Sequence, residues 1–478
     1  MDNSGFELNE EAPPNNYSKP EKIKEECHVK KSHWSLLHVF LVCLLACAIT
    51  TVVGVLILSL VYASTTDFKR QQHEVNLENH GSASRKIPIT FAYKSQVDLK
   101  FQFLHHLTKS KVHQFPGGAI QWSRFRRNAD EYQNKEEMAF GESINAQRSK
   151  LMFGTLLIKS QGLRAPHWHF NANEQGYLLK GSAWIGVVDA GGDTIATYNI
   201  MAGQIIFFPR NTVHWVKNVG VEDCLFLLFF TTHEELQTLD MDDMFFLTPK
   251  DIEARSLKPQ GGMDFIRSFQ EQAEDQDINL PPNLAELVQN ANYNQSEDRL
   301  VWRYFFDLKG SSKFQFPGGV IQWARYVKSG KGLKPNEKIY SEFLHSKEDA
   351  LTLATLRLSS NALRQPHFHL NANEMGYVIS GCGKVGVIAS STLSTDFTIE
   401  VGDVVFFPVG NQHYIKSTCD EDLLLILAFS TSDQLQTLDM DDYFHATADH
   451  ILAQLFFKKQ AEFKKIPRLK EDQAINLP

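Results

Sequence analysis

Two histidines and a glutamate recur at the same spacing in two distant parts of the chain. They lie in PHWHFNANEQGYLLKG at residues 166–181 and in PHFHLNANEMGYVISG at residues 366–381. Residues i and i+2 of a strand point to the same face, so the two imidazoles of each His-X-His enter the same space. Imidazole nitrogens and a carboxylate oxygen together form a ligand set for a transition metal. The repeated motif therefore predicts one metal site in each copy.

A third histidine follows each motif on a later predicted strand, in GQIIFFPRNTVHWVKN (203–218) and in GDVVFFPVGNQHYIKS (402–417). Three imidazoles and one carboxylate suit Mn, Fe or Zn, and an octahedral preference with open positions favours the first two. A lone buried histidine is more often a core residue, but the whole set is retained across two diverged copies. The predicted ligands are His167, His169, Glu174 and His214 in the first copy and His367, His369, Glu374 and His413 in the second.

These motifs belong to a duplicated domain of about 190 residues. HQFPGGAIQW (113–122) matches FQFPGGVIQW (314–323), and LQTLDMDD occurs at 236–243 and again at 435–442. We interpret the first pair as a turn that leads into a strand. LQTLDMDD is interpreted as the entry to appended helices, with its carboxylates near the helix N-termini.

Within each copy, short runs rich in β-branched and aromatic residues alternate with Gly, Asp and Asn turns. This spacing predicts an antiparallel barrel or sandwich. Segments with apolar residues at a period of 3.6 follow each set of strands and predict helices. The fold class is therefore mainly β, as two tandem barrels with appended helices.

Composition and charge exclude some classes of protein. The 478 residues are 43% hydrophobic and 22% charged, which is typical of a globular chain. A net charge of −8 argues against a nucleic-acid-binding protein, which usually carries a basic face. The six cysteines have no CxxC spacing and indicate neither a disulfide scaffold nor a zinc finger. A Cys382–Cys419 bridge and free buried thiols are both compatible with the sequence.

Residues 34–62 contain no Lys, Arg, Asp or Glu and are long enough to cross a bilayer as a helix. A cleaved signal peptide has a shorter apolar region, although Val61-Tyr62-Ala63 would be a tolerable cleavage site. The positive-inside rule places the N-terminus in the cytosol, since more basic residues precede the span than follow it. We therefore predict a type II single-pass membrane protein whose C-terminal part is extracellular or lumenal.

The predicted domain organisation follows from this topology. It comprises a cytoplasmic disordered tail (1–33), a signal-anchor helix (34–62), a stalk (63–88) and two domains (89–285 and 286–478). Asn294-Gln295-Ser296 is a sequon on the predicted outer side, so an N-glycan is expected at Asn294.

The duplicated motifs resemble the two signature motifs of the cupin family, HxH followed by Glu and then G…FFP….H. Because both copies match, residues 89–478 resemble a bicupin, with two tandem double-stranded β-helix (jelly-roll) barrels. Seed-storage globulins of this superfamily have generally lost the metal ligands, whereas this chain has all eight. The resemblance therefore implies a metal-dependent enzyme.

Among bicupins the chain is most similar to oxalate decarboxylases, which carry an arginine three residues before the first ligand histidine. Arg164 and Arg364 stand at that place. A guanidinium beside the metal can hold a substrate carboxylate. Those enzymes cleave oxalate to formate and carbon dioxide on manganese, and a lid glutamate transfers a proton. Glu235 falls at the lid position in the first copy, and Gln434 in the second.

The chain departs from that pattern where Gln175 and Met375 replace a tryptophan after the ligand glutamate, and the lid sequence is altered. We therefore predict an oxalate-decarboxylase-like enzyme with Arg164, Glu235 and Arg364 as catalytic residues and up to two Mn(II) per chain, with Fe or Zn as alternatives. The alternative functions are an oxalate oxidase or dioxygenase on another small acid, and a non-catalytic binding or adhesion module. The expected partners are a small carboxylic acid, a lipid bilayer through residues 34–62 and a second copy of the chain.

Overall fold

The computed structural model describes residues 97–189 and 195–478. The predicted tail, anchor helix and stalk, residues 1–88, lie outside the described residues. Within the described ranges, no helix combines the length and the apolar character needed to cross a bilayer.

The first repeat is built largely from strands. Their bounds are Leu104–His106 (β1), Val112–Phe115 (β2), Gly118–Ser123 (β3), Met152–Ile158 (β4), Leu163–His169 (β5), Glu174–Lys180 (β6), Ser182–Val188 (β7), Ile195–Met201 (β8), Ile205–Phe208 (β9), Val213–Asn218 (β10), Cys224–Phe230 (β11), Thr238–Asp240 (β12) and Ile278–Asn279 (β13). Its helices are Lys135–Ala146 (α1), Met241–Leu247 (α2), Lys250–Leu257 (α3) and Gly262–Arg267 (α4).

The second repeat follows two short helices, Leu284–Leu287 (α5) and Asp298–Val301 (α6). Its strands are Phe305–Phe306 (β14), Lys313–Phe316 (β15), Gly319–Ala324 (β16), Thr352–Leu358 (β17), Leu363–His369 (β18), Glu374–Ser380 (β19), Gly383–Ser390 (β20), Leu393–Ile399 (β21), Asp403–Phe407 (β22), Gln412–Ser417 (β23), Leu423–Phe429 (β24), Thr437–Asp439 (β25) and Ile475–Asn476 (β26). Its helices are Pro335–His345 (α7), Met440–Ala446 (α8), Asp449–Phe456 (α9) and Gln460–Phe463 (α10).

Each barrel consists of two antiparallel sheets. In the first barrel the strand orders are β14-β9-β6-β11-β4-β3-β2 and β12-β5-β10-β7-β8, with β13 added beside β5. The second barrel has the orders β1-β22-β19-β24-β17-β16-β15 and β21-β20-β23-β18-β25, with β26 beside β18. This architecture confirms the prediction of two tandem, mainly β barrels with appended helices.

The two barrels exchange their outermost strands. β1 precedes the first barrel in the chain but pairs with β22 of the second, and β14 of the second repeat pairs with β9 of the first. Successive residues of a strand point to opposite faces, so Phe208 and Phe230 pack inside the first barrel while Phe207 and Phe229 join the core between the barrels. The described residues of the two barrels therefore form one compact unit.

The glycine that ends each GY…G motif makes a sharp turn between two strands that follow each other in the chain. Gly181 and Gly381 have φ values of 87° and 76°, in the left-handed region that favours glycine. A Cβ atom on Gly181 would lie 2.9 Å from the Cα of Cys224. The turn carries the chain directly from β6, which begins with Glu174, into β7.

Cys382 and Cys419 form a disulfide with a Cα–Cα distance of 5.5 Å, and Cys224 is a buried free thiol. The sequence was compatible with this bridge and with free thiols at both positions, and the structure shows the bridge.

Replacing both bridged cysteines by serine is expected to lower the free energy of unfolding by about 3 kcal/mol, because the bridge closes a long loop in the unfolded chain. The bridged residues are 37 positions apart. Urea unfolding of the Cys382→Ser/Cys419→Ser protein checks this value, and the wild type in reducing buffer is the control. An unchanged unfolding midpoint in both samples would contradict the prediction.

Candidate metal centres

The first site lies inside the first barrel, where β5, β6 and β10 meet. β5 ends with His167 and His169, β6 begins with Glu174, and β10 carries His214. One ligand atom from each of these four side chains lies within 4.8 Å of all the others, and all four residues are buried. The strand period turns the intervening Trp168 to the opposite face, where it is half-buried. The structure thus brings together the four residues predicted for this site.

The outward-facing nitrogen of each imidazole has its own hydrogen-bond partner. His167 Nδ1 lies 2.7 Å from the carbonyl oxygen of Ala165, and His214 Nδ1 lies 2.8 Å from that of Thr212. A carbonyl oxygen can only accept, so each Nδ1 donates and each neutral ring presents the lone pair of Nε2 to the centre. His169 Nδ1 is bonded to the hydroxyl of Thr238 at 2.9 Å. This is the outer support typical of metal-ligating histidines.

Glu174 faces these nitrogens as a carboxylate. Its Oε2 lies 2.8 Å from His169 Nε2 and 3.2 Å from His214 Nε2. Burial opposes ionisation of Glu174, but its contacts with the two imidazoles outweigh burial and lower its pKa to about 2. Burial and the charge of Arg164 lower the pKa of His167 well below its usual value. Lone pairs of nitrogen and oxygen therefore converge on one point, an arrangement that suits a bound cation.

The second site repeats this geometry in the second barrel. His367, His369, Glu374 and His413 are buried, and their ligand atoms lie within 4.8 Å of one another. The Nδ1 atoms of the three imidazoles again face outer acceptors, namely the Gln365 carbonyl oxygen, the Thr437 hydroxyl and the Asn411 carbonyl oxygen. The four ligand residues and the types of outer hydrogen-bond partner are thus the same in both copies.

The first site opens into a cavity of about 340 Å³. Its apolar wall includes Ile120, Trp122, Val216, Leu228 and Phe230. Three of the predicted ligands, His167, His169 and Glu174, form part of its polar wall. The rest of the polar wall consists of two arginines, one further histidine and four carboxylates, namely Arg124, Arg164, His113, Asp240, Asp243, Asp275 and Asp277. The cavity is large enough for a small organic acid beside the ligand atoms.

Arg164 reaches this cavity, but its guanidinium is bound to carboxylates of the protein. It donates to both carboxylate oxygens of Asp240, at 2.8 and 3.0 Å, and to the backbone oxygen of Asp277 at 3.0 Å. In the second copy Arg364 lies 2.9 Å from Asp439 and donates to the Ala474 carbonyl oxygen. The predicted role of the two arginines as substrate clamps therefore stays a prediction, and in this structure both already have anionic partners.

Glu235 lies outside the residues that line the cavity. Its carboxylate accepts a hydrogen bond from the backbone N–H of Arg127 at 3.1 Å and lies 3.6 Å from the Arg127 guanidinium. The side chain is one-third exposed. The predicted proton transfer by Glu235 stays a prediction, and its carboxylate would have to leave Arg127 to enter the site.

Gln175 and Met375 face away from the metal ligands. Gln175 is fully buried, and its amide donates to the Tyr340 hydroxyl at 3.1 Å and accepts from the backbone N–H of Leu351. Met375 packs in the core between the barrels. Because neighbours on a strand point to opposite faces, these residues serve the contact between barrels. Their difference from the decarboxylase pattern does not alter the wall of the site.

The duplicated LQTLDMDD motif contributes directly to both sites. Its Thr238–Asp240 segment forms β12, which pairs with β5 so that Thr238 supports His169 and Asp240 holds Arg164. The predicted helix begins at the next residue, Met241. Sequence reasoning assigned the motif to the helix entry alone, although its identity in both copies was a signal of a further role.

Asp277 also carried no signal in the sequence. It stands just before the repeated INLP, but the second copy has Ala474 at this position, so the residue is not part of the repeated motif. Its carboxylate lies 3.6 Å from Arg164 and is about one-third exposed in the cavity. Burial, together with a hydrogen bond to Asp240 and the charge of Asp240, raises the pKa of Asp277 to about 7 despite the nearby Arg164. The first site thus has a carboxyl group that the second lacks.

Replacing Asp277 by asparagine is expected to flatten the pH dependence of stability between about pH 4 and pH 7. The folded protein binds this proton up to pH 7, whereas the unfolded chain releases it near its ordinary value of 3.8. The contribution of this group to stability is therefore present at low pH and lost as the pH rises through this window. Melting temperatures across the pH range check this, with Asp275→Asn as the control. Parallel profiles for wild type and Asp277→Asn would contradict it.

Comparison with known families agrees with this architecture. The family model described as Cupin matches residues 142–258 and 341–461, one stretch in each barrel. A second model, described as a CLLAC-motif containing domain, matches residues 33–62, which lie outside the described residues.

Known relatives include oxalate decarboxylases. The chain is 24% identical to oxalate decarboxylase OxdC of Bacillus subtilis over 282 residues, which cover 57% of this chain and 65% of that protein, slightly under two thirds of its length. It is 24% identical to a probable oxalate decarboxylase of Arthroderma benhamiae over 301 residues, covering 62% and 68% of the two chains. It is also 30% identical to legumin type B of Vicia faba over 96 residues, or 20% of this chain.

Solved structures show the same fold. A structure of Bacillus subtilis oxalate decarboxylase, described with Mn(II) centres, superimposes with a TM-score of 0.61 at 18% identity and covers 84% of this chain and 98% of that one. A formate complex of Lactobacillus farciminis oxalate decarboxylase gives a TM-score of 0.60 at 18% identity, with 82% and 99% covered. Matching motifs, duplicated barrels and the two family matches lead to one conclusion. The chain belongs to the cupin family, as a bicupin with two cupin domains in tandem.

Proposed function

We propose that the chain is a metal-dependent bicupin enzyme of the oxalate-decarboxylase type, which converts oxalate to formate and carbon dioxide in the first barrel. The observation that carries this proposal is the buried His₃Glu set that opens directly into a cavity for a small acid. The relatives named as oxalate decarboxylases support the choice of substrate.

Manganese fits the residues present, because three neutral imidazoles and one carboxylate leave room for further oxygen ligands. His167, His169, Glu174 and His214 would hold one ion, and their counterparts His367, His369, Glu374 and His413 a second. When bound, the metal supplies a Lewis acid that binds the substrate carboxylate.

The chain's own residues supply the rest of the site. Phe230, Leu228 and Val216 line the cavity with apolar surface, which limits the water beside the ligands. In the reaction, the C–C bond of hydrogen oxalate breaks to give carbon dioxide and formate, and the substrate's proton ends on the formate carbon. Asp277 lies in the cavity wall and carries a proton up to near-neutral pH, so it is placed to hold that proton during the transfer.

An oxalate oxidase or a dioxygenase acting on another small acid is the second candidate. It is favoured by the position of Glu235, which is bound to Arg127 and does not line the cavity. Oxidation of oxalate gives two molecules of carbon dioxide and reduces dioxygen to peroxide, and it needs no proton delivered to carbon.

The manganese-loaded full chain, supplied with oxalate, distinguishes these functions. Formate with one equivalent of carbon dioxide supports decarboxylation, and peroxide with net oxygen consumption supports the oxidase. The absence of formate, carbon dioxide and peroxide would overturn both and favour the non-catalytic binding or adhesion module. Elemental analysis of the natively purified protein gives the metal identity, and two manganese per chain are expected.

We also propose that residues 34–62 anchor the protein in a lipid bilayer with both barrels outside the cytosol. The Cys382–Cys419 disulfide is compatible with an oxidising compartment, and the sequon residue Asn294 is exposed and accessible to a glycan. A glycosidase-sensitive shift in mass that Asn294→Gln abolishes would support this topology. Exposed apolar side chains on the helices after each barrel, such as Leu247, Leu257 and Leu455, favour contact with a second copy of the chain.

A further inference from the structure

The FPGG…IQW motif continues into an arginine in both copies, and this arginine lines the first cavity. Arg124 follows β3 directly, and its guanidinium carbon lies 5.0 Å from the centre of the Trp122 ring. The Nε atom of Arg124 is buried and has no hydrogen-bond partner. Across residues 97–189 and 195–478, no carboxylate lies within ion-pair distance of this guanidinium. Burial and the charge of Arg126 lower the pKa of Arg124 to about 10, although the charges of Glu131 and Glu235 act in the opposite direction, so the group still carries its charge at neutral pH.

His113 presents a second unsatisfied nitrogen in the same cavity. It lies on β2, which pairs with β3, and its Nε2 atom is buried without a hydrogen-bond partner. Burial and the positive charges of Lys111, Arg126 and Arg124 lower the pKa of His113. The neutral ring can donate one hydrogen bond from Nε2 to an acceptor in the cavity.

The contrast with Arg164 assigns different tasks to the two guanidinium groups. Arg164 donates to both oxygens of Asp240 and has Asp277 beside it, so its charge is compensated within the protein. Arg124 stacks on Trp122, and the two carboxylates that act on its charge, Glu131 and Glu235, form their ion pairs with Arg126 and Arg127 instead. An incoming carboxylate therefore finds at Arg124 a guanidinium that has no direct ion pair within the described residues.

We propose that Arg124 and His113 form the carboxylate-binding subsite of the first barrel, which holds the end of the substrate that is not bound at the metal ligands. This inference rests on the proposed function and adds to it the residues that select a carboxylic acid. Arg164 is then a positioning residue that ties β5, with its two ligand histidines, to β12 and to the segment before β13.

The second copy retains only half of this subsite. Arg325 occupies the place of Arg124, but Phe314 replaces His113, and the Arg325 guanidinium lies between the rings of Phe314 and Trp323 at 5.4 and 4.8 Å. A phenyl ring offers no hydrogen bond to a carboxylate. The subsite is therefore specific to the first barrel.

Binding of oxalate to the manganese-loaded full chain, measured by isothermal titration calorimetry, tests the subsite without depending on turnover. The first barrel, which has the complete subsite, should give the tighter of the two binding events. Arg124→Gln is expected to weaken this tighter binding of oxalate by about 10- to 100-fold, the range of one or two hydrogen bonds to a charged group. Arg124→Lys keeps the charge and should recover part of the loss. His113→Phe introduces the residue of the second copy and should weaken binding by about 3- to 10-fold.

Arg325→Gln is the matched control, since Arg325 stacks on Trp323 as Arg124 does on Trp122, and it should leave the tighter binding event unchanged. Circular dichroism and melting temperature show that each variant is folded. If Arg124→Gln and Arg124→Lys both bind oxalate as the wild type does, the subsite is overturned while the proposed function stands. If oxalate binds in an Arg124-dependent way but yields no product, the proposed reaction fails and the subsite stands. A wild type that does not bind oxalate overturns both.

Discussion

Replacing His167 by alanine is expected to reduce the bound metal from two ions per chain to one and to abolish turnover of oxalate. His167 supplies one of the four ligand atoms grouped within 4.8 Å, and the other three residues supply one ligand atom each. The residue is buried and its Nδ1 bonds the Ala165 carbonyl oxygen, so its ring is held in one orientation at the site, and alanine at this position removes that ligand atom. Elemental analysis and a formate assay measure the two effects.

The duplicated chain supplies the matched control for this experiment. His367→Ala should remove the second ion in the same way but leave most of the oxalate turnover, because we assign the reaction to the first barrel. Trp168→Phe, between the two ligands but on the opposite face of β5, should change neither metal content nor turnover. Loss of turnover in His367→Ala with retention in His167→Ala would move the active site to the second barrel.

Arg164→Ala is expected to lower the free energy of unfolding by about 3–5 kcal/mol, the usual cost of leaving one partner of a buried ion pair alone. Both Arg164 and Asp240 are buried, and the guanidinium makes two hydrogen bonds to that carboxylate. Without the Arg164 guanidinium, the Asp240 carboxylate would lack its positively charged partner in the cavity wall, which also contains Asp277. Urea unfolding monitored by tryptophan fluorescence measures the loss.

A second replacement separates the structural role of Arg164 from a role in substrate binding. Arg164→Met with Asp240→Leu removes both charges and should restore most of the stability, since an apolar pair of similar volume often substitutes for a buried ion pair. Arg364→Ala is expected to cost less than Arg164→Ala, because Arg364 makes a single contact of 2.9 Å to Asp439, whereas Arg164 makes two hydrogen bonds to Asp240. If Arg164→Ala kept its stability but lost oxalate binding, Arg164 would be the substrate clamp after all.

The sequence alone predicted the repeats, the mainly β barrels and all eight residues that the structure gathers into two clusters. Two local rules sufficed for this. His-X-His on a strand turns both imidazoles to one face, and the glutamate follows within five residues at the start of the next strand. Comparison between the two copies then supplied His214 and His413, since the whole motif around each was repeated.

Contacts between distant segments were decided only by the tertiary structure. Arg164 and Asp240 are 76 residues apart, and their pairing depends on the register of β12 against β5, which no local pattern specifies. The same holds for Asp277, which reaches the first cavity through β13, and for Gln175, which lies in the contact between the barrels. Local spacing determines which side chains share a face of a strand. Only sheet pairing across the fold determines which charges they meet, and hence that Arg164 is bound to Asp240 while Arg124 has no direct ion pair in the described part of the chain.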